Sequence, residues 1–271
     1  MKARGFTIIE IVVALAISAV VVAFAAMFIG APVNAYMTQS RHAELVDAAG
    51  SPWPHIERDL HVALPNSVRY RVNGNVRVLE MLKVVDSARY MTSRSASSIA
   101  TAGTFRGVAH PGAVKYASIN NLGTAAVNAY LLTNSMTPVN RTITVSSSAT
   151  PGEDIVTINP AFAFAAGDSP KHRIYLVSEP VTYLCDVSAG TVRRYSGYSI
   201  ASNQASRDTA AELTGALATG NILVARNITA CSFVAPLGTA YHGQIITARF
   251  TATRDGQTVT MLHQAEVEPL Q

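Results

Sequence analysis

The chain has 271 residues, enough for one or two ordinary domains; 49% are hydrophobic and only 14% charged. Its net charge of +4 is small and does not suggest the electrostatic footprint of a nucleic-acid-binding protein. Once an N-terminal membrane helix is set aside, the remainder suffices for one sizeable soluble core.

The chain opens Met1-Lys2-Ala3-Arg4-Gly5-Phe6-Thr7-Ile8-Ile9-Glu10 and runs into an apolar segment that lasts to Ile29. Glu10 is the only ionisable residue from Ile8 to Ile29. As a helix, this stretch is long enough to cross a hydrocarbon core of about 30 Å. Lys2 and Arg4 hold its start on the cytoplasmic side and send the rest of the chain outward. A carboxylate inside such a span costs about 2.5–3.5 kcal/mol on the lenient insertion scale for its shorter relative aspartate. Glu10 is therefore a functional candidate in need of a partner.

The string Gly5-Phe6-Thr7-Ile8-Ile9-Glu10 ahead of an apolar helix resembles the class III leader of type IV pilins and type II secretion pseudopilins. The resemblance implies that a prepilin peptidase cuts between Gly5 and Phe6, and that Phe6 becomes the N-methylated terminus. Loss of Lys2 and Arg4 with the leader lowers the side-chain charge from +4 to +2. The resemblance also implies assembly with other pilins or pseudopilins in a helical filament. There, Glu10 of one subunit neutralises the terminal amine of a neighbour, and pairing makes both charges tolerable. Two plainer readings stand beside this one. A secretory signal could end at Val33-Asn34-Ala35, but its apolar region would exceed the usual ~7–15 residues and contain a carboxylate. A single-span anchor explains the length and leaves Glu10 without a purpose.

Within the span, Ala14 with Ser18, Ala19 with Ala23 and Ala26 with Gly30 form small-xxx-small pairs of the kind that let membrane helices approach closely. Many pilins carry a helix-breaking proline within this segment. Here the first proline is Pro32, so any local melting on assembly is expected to centre on Gly30-Ala31-Pro32. Residues 33–64 turn amphipathic, with Val33, Met37, Leu45, Val46 and Ala49 near one face and Ile56, Leu60 and Leu64 resuming the pattern. Gly50-Ser51-Pro52-Trp53-Pro54 interrupts it, predicting a kink or short break at 50–54 with a restart near Pro54 and Trp53 packed at the joint.

Pro65-Asn66 ends the helical region. The string from Arg58-Asp59-Leu60 to Ala63-Leu64-Pro65-Asn66-Ser67-Val68-Arg69 is similar to the O-type minor pilins of mannose-sensitive haemagglutinin pilus biogenesis. Those are in turn similar to the J-type minor pseudopilins of type II secretion, in which the helix runs straight into this string. The Gly50–Pro54 insertion departs from that pattern.

Beyond Pro65 the chain reads as strands and turns. Strands are expected at 68–72 and 76–85 around Asn73-Gly74-Asn75, and at 139–145, 154–158 and 172–177. A hairpin at 181–186 and 191–195 turns across Ser188-Ala189-Gly190. One helical turn is expected at 209–213, followed by strands at 227–233, 244–253 and 257–267, the last two joined at Asp255-Gly256. Residues 86–150 are poor in charge and weakly periodic, and read as a packed, loop-rich insert rather than disorder. The closing strands suit a sheet laid against the C-terminal half of the first helix.

In an exported head, Cys185 and Cys231 read as one disulfide; two separate buried thiols are the alternative. The seven histidines show no metal-ligand spacing, and no nucleotide-binding or hydrolase motif is present. No catalytic residue, metal or cofactor is therefore expected.

The whole reads as α+β. Residues 1–5 form a leader, and residues 6–64 a helix that spans the membrane at about 8–29 and is amphipathic at 33–64. Residues 65–271 form a β-rich head in the periplasm or outside the cell. The expected function is that of a minor pilin or pseudopilin. It would sit in the bacterial inner membrane before assembly and then help initiate and cap a type IV pilus-like filament. A pilus-tip adhesin on the same stalk, or a membrane-anchored periplasmic enzyme, are the competing classes.

Overall fold

The computed structural model describes residues 7–105, 114–213, 220–237 and 243–267. The chain divides into two units, Met1–Leu45 and Val46–Gln271. The described part of the first is helical from Ile8 onward. Helix α1 (Ile8–Gly50) begins inside it and is long and apolar enough to cross a membrane. It continues through Pro32, although that residue has no N–H to offer Phe28.

In the second unit, α1 ends at Gly50 and α2 (Pro52–His61) follows after a single residue. The expected break is therefore narrower than 50–54, and the helix restarts at Pro52 rather than Pro54. Ser51 keeps helical backbone angles (φ −59, ψ −29), and its N–H still bonds the Asp47 carbonyl at 2.8 Å. Pro52 and Pro54 cannot bond the carbonyls of Ala48 and Gly50, so the ladder fails there while the chain stays helical. Trp53 is buried and stacks on His263, with ring centroids 5.0 Å apart.

The large sheet is built on two long antiparallel strands, β2 (Val76–Arg94) and β7 (Arg173–Asp186), paired from Val76↔Asp186 to Arg89↔Arg173. Around them stand β1 (Arg69–Asn73), β3 (Ser98–Thr101), β4 (Tyr116–Ile119), β5 (Thr142–Ser147), β6 (Asp154–Asn159), β8 (Thr191–Ser196) and β9 (Gly220–Arg226). The order is β5-β6-β3-β2-β7-β8-β9, with β1 added on β2 and β4 on β7. Helical turn α3 (Ala210–Leu213) precedes β9 and is closed by a capping box. In it the Glu212 carboxylate accepts from Thr209 N, and Thr209 Oγ1 accepts from Glu212 N. A second sheet contains β10 (Ile228–Val234), β11 (Gln244–Arg254) and β12 (Gln257–Val267).

Several expectations are redrawn. The strands at 172–177 and 181–186 are one strand, β7, with Pro180 inside it. Strand β4 pairs with β7 as far as Val177, and β8 begins to pair only at Val181. Pro180 falls in the gap between them, where its missing N–H leaves no ladder bond unmade. The 86–150 region holds the end of β2 together with β3, β4 and β5, and so contains more strand than its composition suggested. It builds its own core from Tyr90, Ile99, Phe105, Ile119, Val156 and Leu176, among others.

The main core lies where the two sheets and α2 meet. Trp53, Ile56 and Leu60 come from the helix, Leu79, Met81 and Tyr183 from the large sheet, and Phe233, Ile246 and Phe250 from the small one. Cys185 on β7 and Cys231 on β10 are bonded across this core and tie the two sheets together. A loop of 46 residues closed in this way is stabilised by about 4 kcal/mol in the chain-entropy model. Mass spectrometry of an unreduced digest should recover the two cysteines in one linked peptide. Replacing both by serine should lower unfolding stability by about 2–5 kcal/mol, measured by denaturant titration.

Candidate assembly site

Two regions carry polar groups that the fold places with purpose: the start of α1 and the junction between α2 and the sheets. At the start, Thr7 O accepts from Glu10 N at 3.1 Å and from Ile11 N at 3.3 Å, so the first helical turn closes around Glu10. A carboxylate there faces the positive end of the helix dipole, where negative charge is favoured. Glu10 and the apolar residues from Ile8 to Phe28 are exposed in the isolated chain; Ile8 is 84% exposed, Leu15 65% and Phe28 75%. The apolar residues occupy every side of the helix, a pattern that demands lipid or other helices all round. Gly5 and Phe6 lie outside the described residues.

The junction is built on charge. Asp59 lies on the buried face of α2 with Ile56 and Leu60, a position where a carboxylate requires partners. Arg194 of β8 supplies a two-pronged contact, Nε to Oδ2 at 2.6 Å and Nη2 to Oδ1 at 3.3 Å. Tyr183 of β7 donates its hydroxyl to Oδ2 at 2.7 Å. Burial first, and the Asp59 charge second, push the Tyr183 hydroxyl far above its ordinary range, so it stays a donor. Burial works against the charge on Arg194, but bonding to Asp59 outweighs it and holds the guanidinium protonated.

The chain leaving α2 is fixed just as closely. Leu64 N donates to Leu82 O, and Val84 N to Val62 O, each at 2.8 Å, which lays the segment along β2. Asn66 adopts φ 57 at the turn. Asn121 Nδ2 donates to Pro65 O at 2.8 Å, Tyr130 donates to Ser67 O at 3.0 Å and Gln244 Nε2 donates to Val68 O at 2.7 Å. Arg69 then pairs with the fully buried Glu80 at 2.8 Å, lies over the Tyr130 ring, and donates to the carbonyls of Ala201 and Ser202. Burial raises Glu80 above the ordinary carboxylate range, and Arg69 and Tyr198 bring it part of the way back. These groups are committed to one another inside the protein.

The 58–69 string stands out in the sequence, but its partners do not. The signal for Asp59 was present: it falls on the apolar face of an amphipathic helix. Arg194, Tyr183 and Glu80 sit on strands far along the chain, where no local pattern points back to the helix. Among the described residues no group of three or more histidines, cysteines or carboxylates could hold a metal ion. In the 86–150 region the rings of Tyr90, Phe105, Tyr116 and Tyr130 are buried in the cores.

Against this geometry, residues 1–26 match the family of the prokaryotic N-terminal methylation motif. The chain carries a prepilin-type N-terminus. That motif supports a place in the type IV pilin and pseudopilin superfamily and a pilin-like, structural role. It implies processing by a prepilin peptidase and assembly with other pilins. The exposed apolar helix behind it fits membrane anchoring. The match stops well short of the head, and neither curated proteins nor solved structures provide a match to the chain.

Replacing Asp59 by Ala should strand the Arg194 guanidinium and cost about 3–5 kcal/mol of stability. The Asp59→Ala/Arg194→Met double variant should recover part of that loss, and a double-mutant cycle on denaturation midpoints reads the coupling.

Proposed function

We propose that this protein is a minor pilin or pseudopilin that helps initiate and cap a type IV pilus-like filament. The prepilin-type motif at residues 1–26 carries this reading, because it sits on a helix whose apolar surface needs other helices or lipid. The prepilin peptidase cuts between Gly5 and Phe6, releases residues 1–5 and methylates Phe6. The helical segment, which ends at His61 rather than at the expected 64 because residues 62–64 turn to bond along β2, becomes the joining element, with about 8–29 in the inner membrane before assembly. Residues 65–271 form the head on the outer side, and the assembled filament lies in the periplasm or at the cell surface.

In the membrane pool, a Glu10 carboxylate and a Phe6 ammonium are both expensive to hold in hydrocarbon. In the filament, Glu10 of an incoming subunit lies beside the Phe6 amine of its neighbour and both penalties fall together. Small residues along α1 permit the close helix packing that brings the two into reach. The minor, head-bearing assignment is supported by the similarity of the 58–69 string to the O-type minor pilins and J-type minor pseudopilins. It is also supported by the use of that string, in this head, as the junction between helix and sheets.

Replacing Gly5 with a bulkier residue should block processing, so that the variant migrates as the longer precursor on a gel; unchanged processing would remove the leader assignment. Glu10→Leu should insert and be processed normally yet fail to enter filaments. Filaments that contain this variant at wild-type levels would remove the proposed role of Glu10.

A further inference from the structure

Strand edges expose unpaired backbone groups and are ordinarily blunted by bulges, charges, prolines, short length or a covering segment. Most edges in this head are treated in one of these ways. The segment 201–208 covers β1: Arg69 donates to the Ala201 and Ser202 carbonyls, and Gln204 Nε2 donates to Arg69 O. Residues 135–137 cover β4, through Ile119 N to Ser135 O and Thr137 N to Ala117 O. Register shifts mark a bulge in β10 at Thr229 and in β9 at Val224. Strand β5 is only 6 residues long.

Strand β12 has fewer of these devices: a single carboxylate, Glu266, and the packing of Trp53 of α2 on His263. It runs for 11 residues, QTVTMLHQAEV, without lysine, arginine or proline. Its register with β11 is unbroken from Gln244↔Val267 to Arg254↔Gln257. Among the described residues no strand pairs with its other side. At its centre Leu262 is 55% exposed.

We propose that this free edge of β12 pairs antiparallel with the β12 edge of a second copy of the chain, centred on Leu262. The strand is self-complementary in that register and not in a parallel one. Leu262 meets the Leu262 of the second copy, and each apolar side chain covers the other. Thr260 meets Gln264, repeating the pair in which Gln264 Nε2 donates to Thr247 Oγ1 at 3.0 Å across the β11–β12 ladder. Glu266, the only carboxylate of β12, meets Thr258. A parallel in-register pairing would set Glu266 against Glu266, and like charges directly opposite are destabilising. The antiparallel arrangement joins two three-stranded sheets into one of six and satisfies both edges. The pairing concerns the unassembled pool of the protein and is independent of the filament reading.

The test uses the full-length chain in its membrane with single cysteines and mild oxidation. In this register the two 262 positions lie about 4.5–5.5 Å apart, whereas the two 258 positions lie about 27 Å apart. Leu262→Cys should therefore give a disulfide-linked dimer, and Thr258→Cys alone should not. A mixture of Thr258→Cys and Glu266→Cys chains should crosslink to each other. Leu262→Lys, placed in that mixture, should reduce the crosslinked fraction about tenfold by setting two ammonium groups face to face. Thermal melting of Leu262→Lys matching the wild type would show that the head remains folded. Absence of a Leu262→Cys dimer, or equal crosslinking at 262 and 258, would overturn the proposal.

Discussion

A carboxylate on the inward face of a helix is tolerable only when its charge is met, and Asp59 meets that requirement with Arg194 and Tyr183 from two adjacent strands. The pair β7–β8 is thereby held to α2 at one point, and the main core closes around it with Ile56, Leu60 and Met81. What leaves α2 is tied just as tightly. Within a few residues, Ser67 Oγ accepts from Leu82 N, Val68 O accepts from Gln244, and Arg69 pairs with Glu80. One short string therefore contacts α2, both sheets and the buried Glu80–Tyr198 pair. The disulfide between β7 and β10 adds a covalent tie between the sheets.

That arrangement keeps the junction apart from the loop-rich region. Strand β2 is long enough to serve both parts: Val76 to Arg89 pairs with β7, and Tyr90 to Arg94 pairs with β3. Bulges near Lys83 and Val85 bend it between the two. The core around Ile99, Val156 and Leu176 is built beyond that bend, and the junction core before it.

The legible parts of the sequence were those governed by local rules. The apolar run and its single carboxylate speak through membrane cost, and the leader residues through their resemblance to the prepilin leader. Asp255 and Gly256 both take positive φ, 50 and 78, as a two-residue hairpin of that composition requires, and Gly74 does likewise at φ 54. What escaped was non-local. Strand β9 is fixed by pairing with β8, not by any turn signal before it. The strands expected at 172–177 and 181–186 are one strand because the gap between β4 and β8 that accommodates Pro180 depends on two distant segments. Asp59 and Arg194 are partners separated by 135 residues, and only the fold brings them together.

The N-terminal motif supports a pilin-like role and the apolar helix behind it fits membrane anchoring, while the 58–69 string ties α2 to the sheets of the head. The central claim is that the chain is made as a prepilin. Mass spectrometry of the N-terminal peptide of the mature protein from cells tests it most directly. The expected peptide begins at Phe6 and carries one added methyl group. A mature chain that still begins at Met1, or one that begins after Ala35 as a secretory signal would leave it, would contradict it.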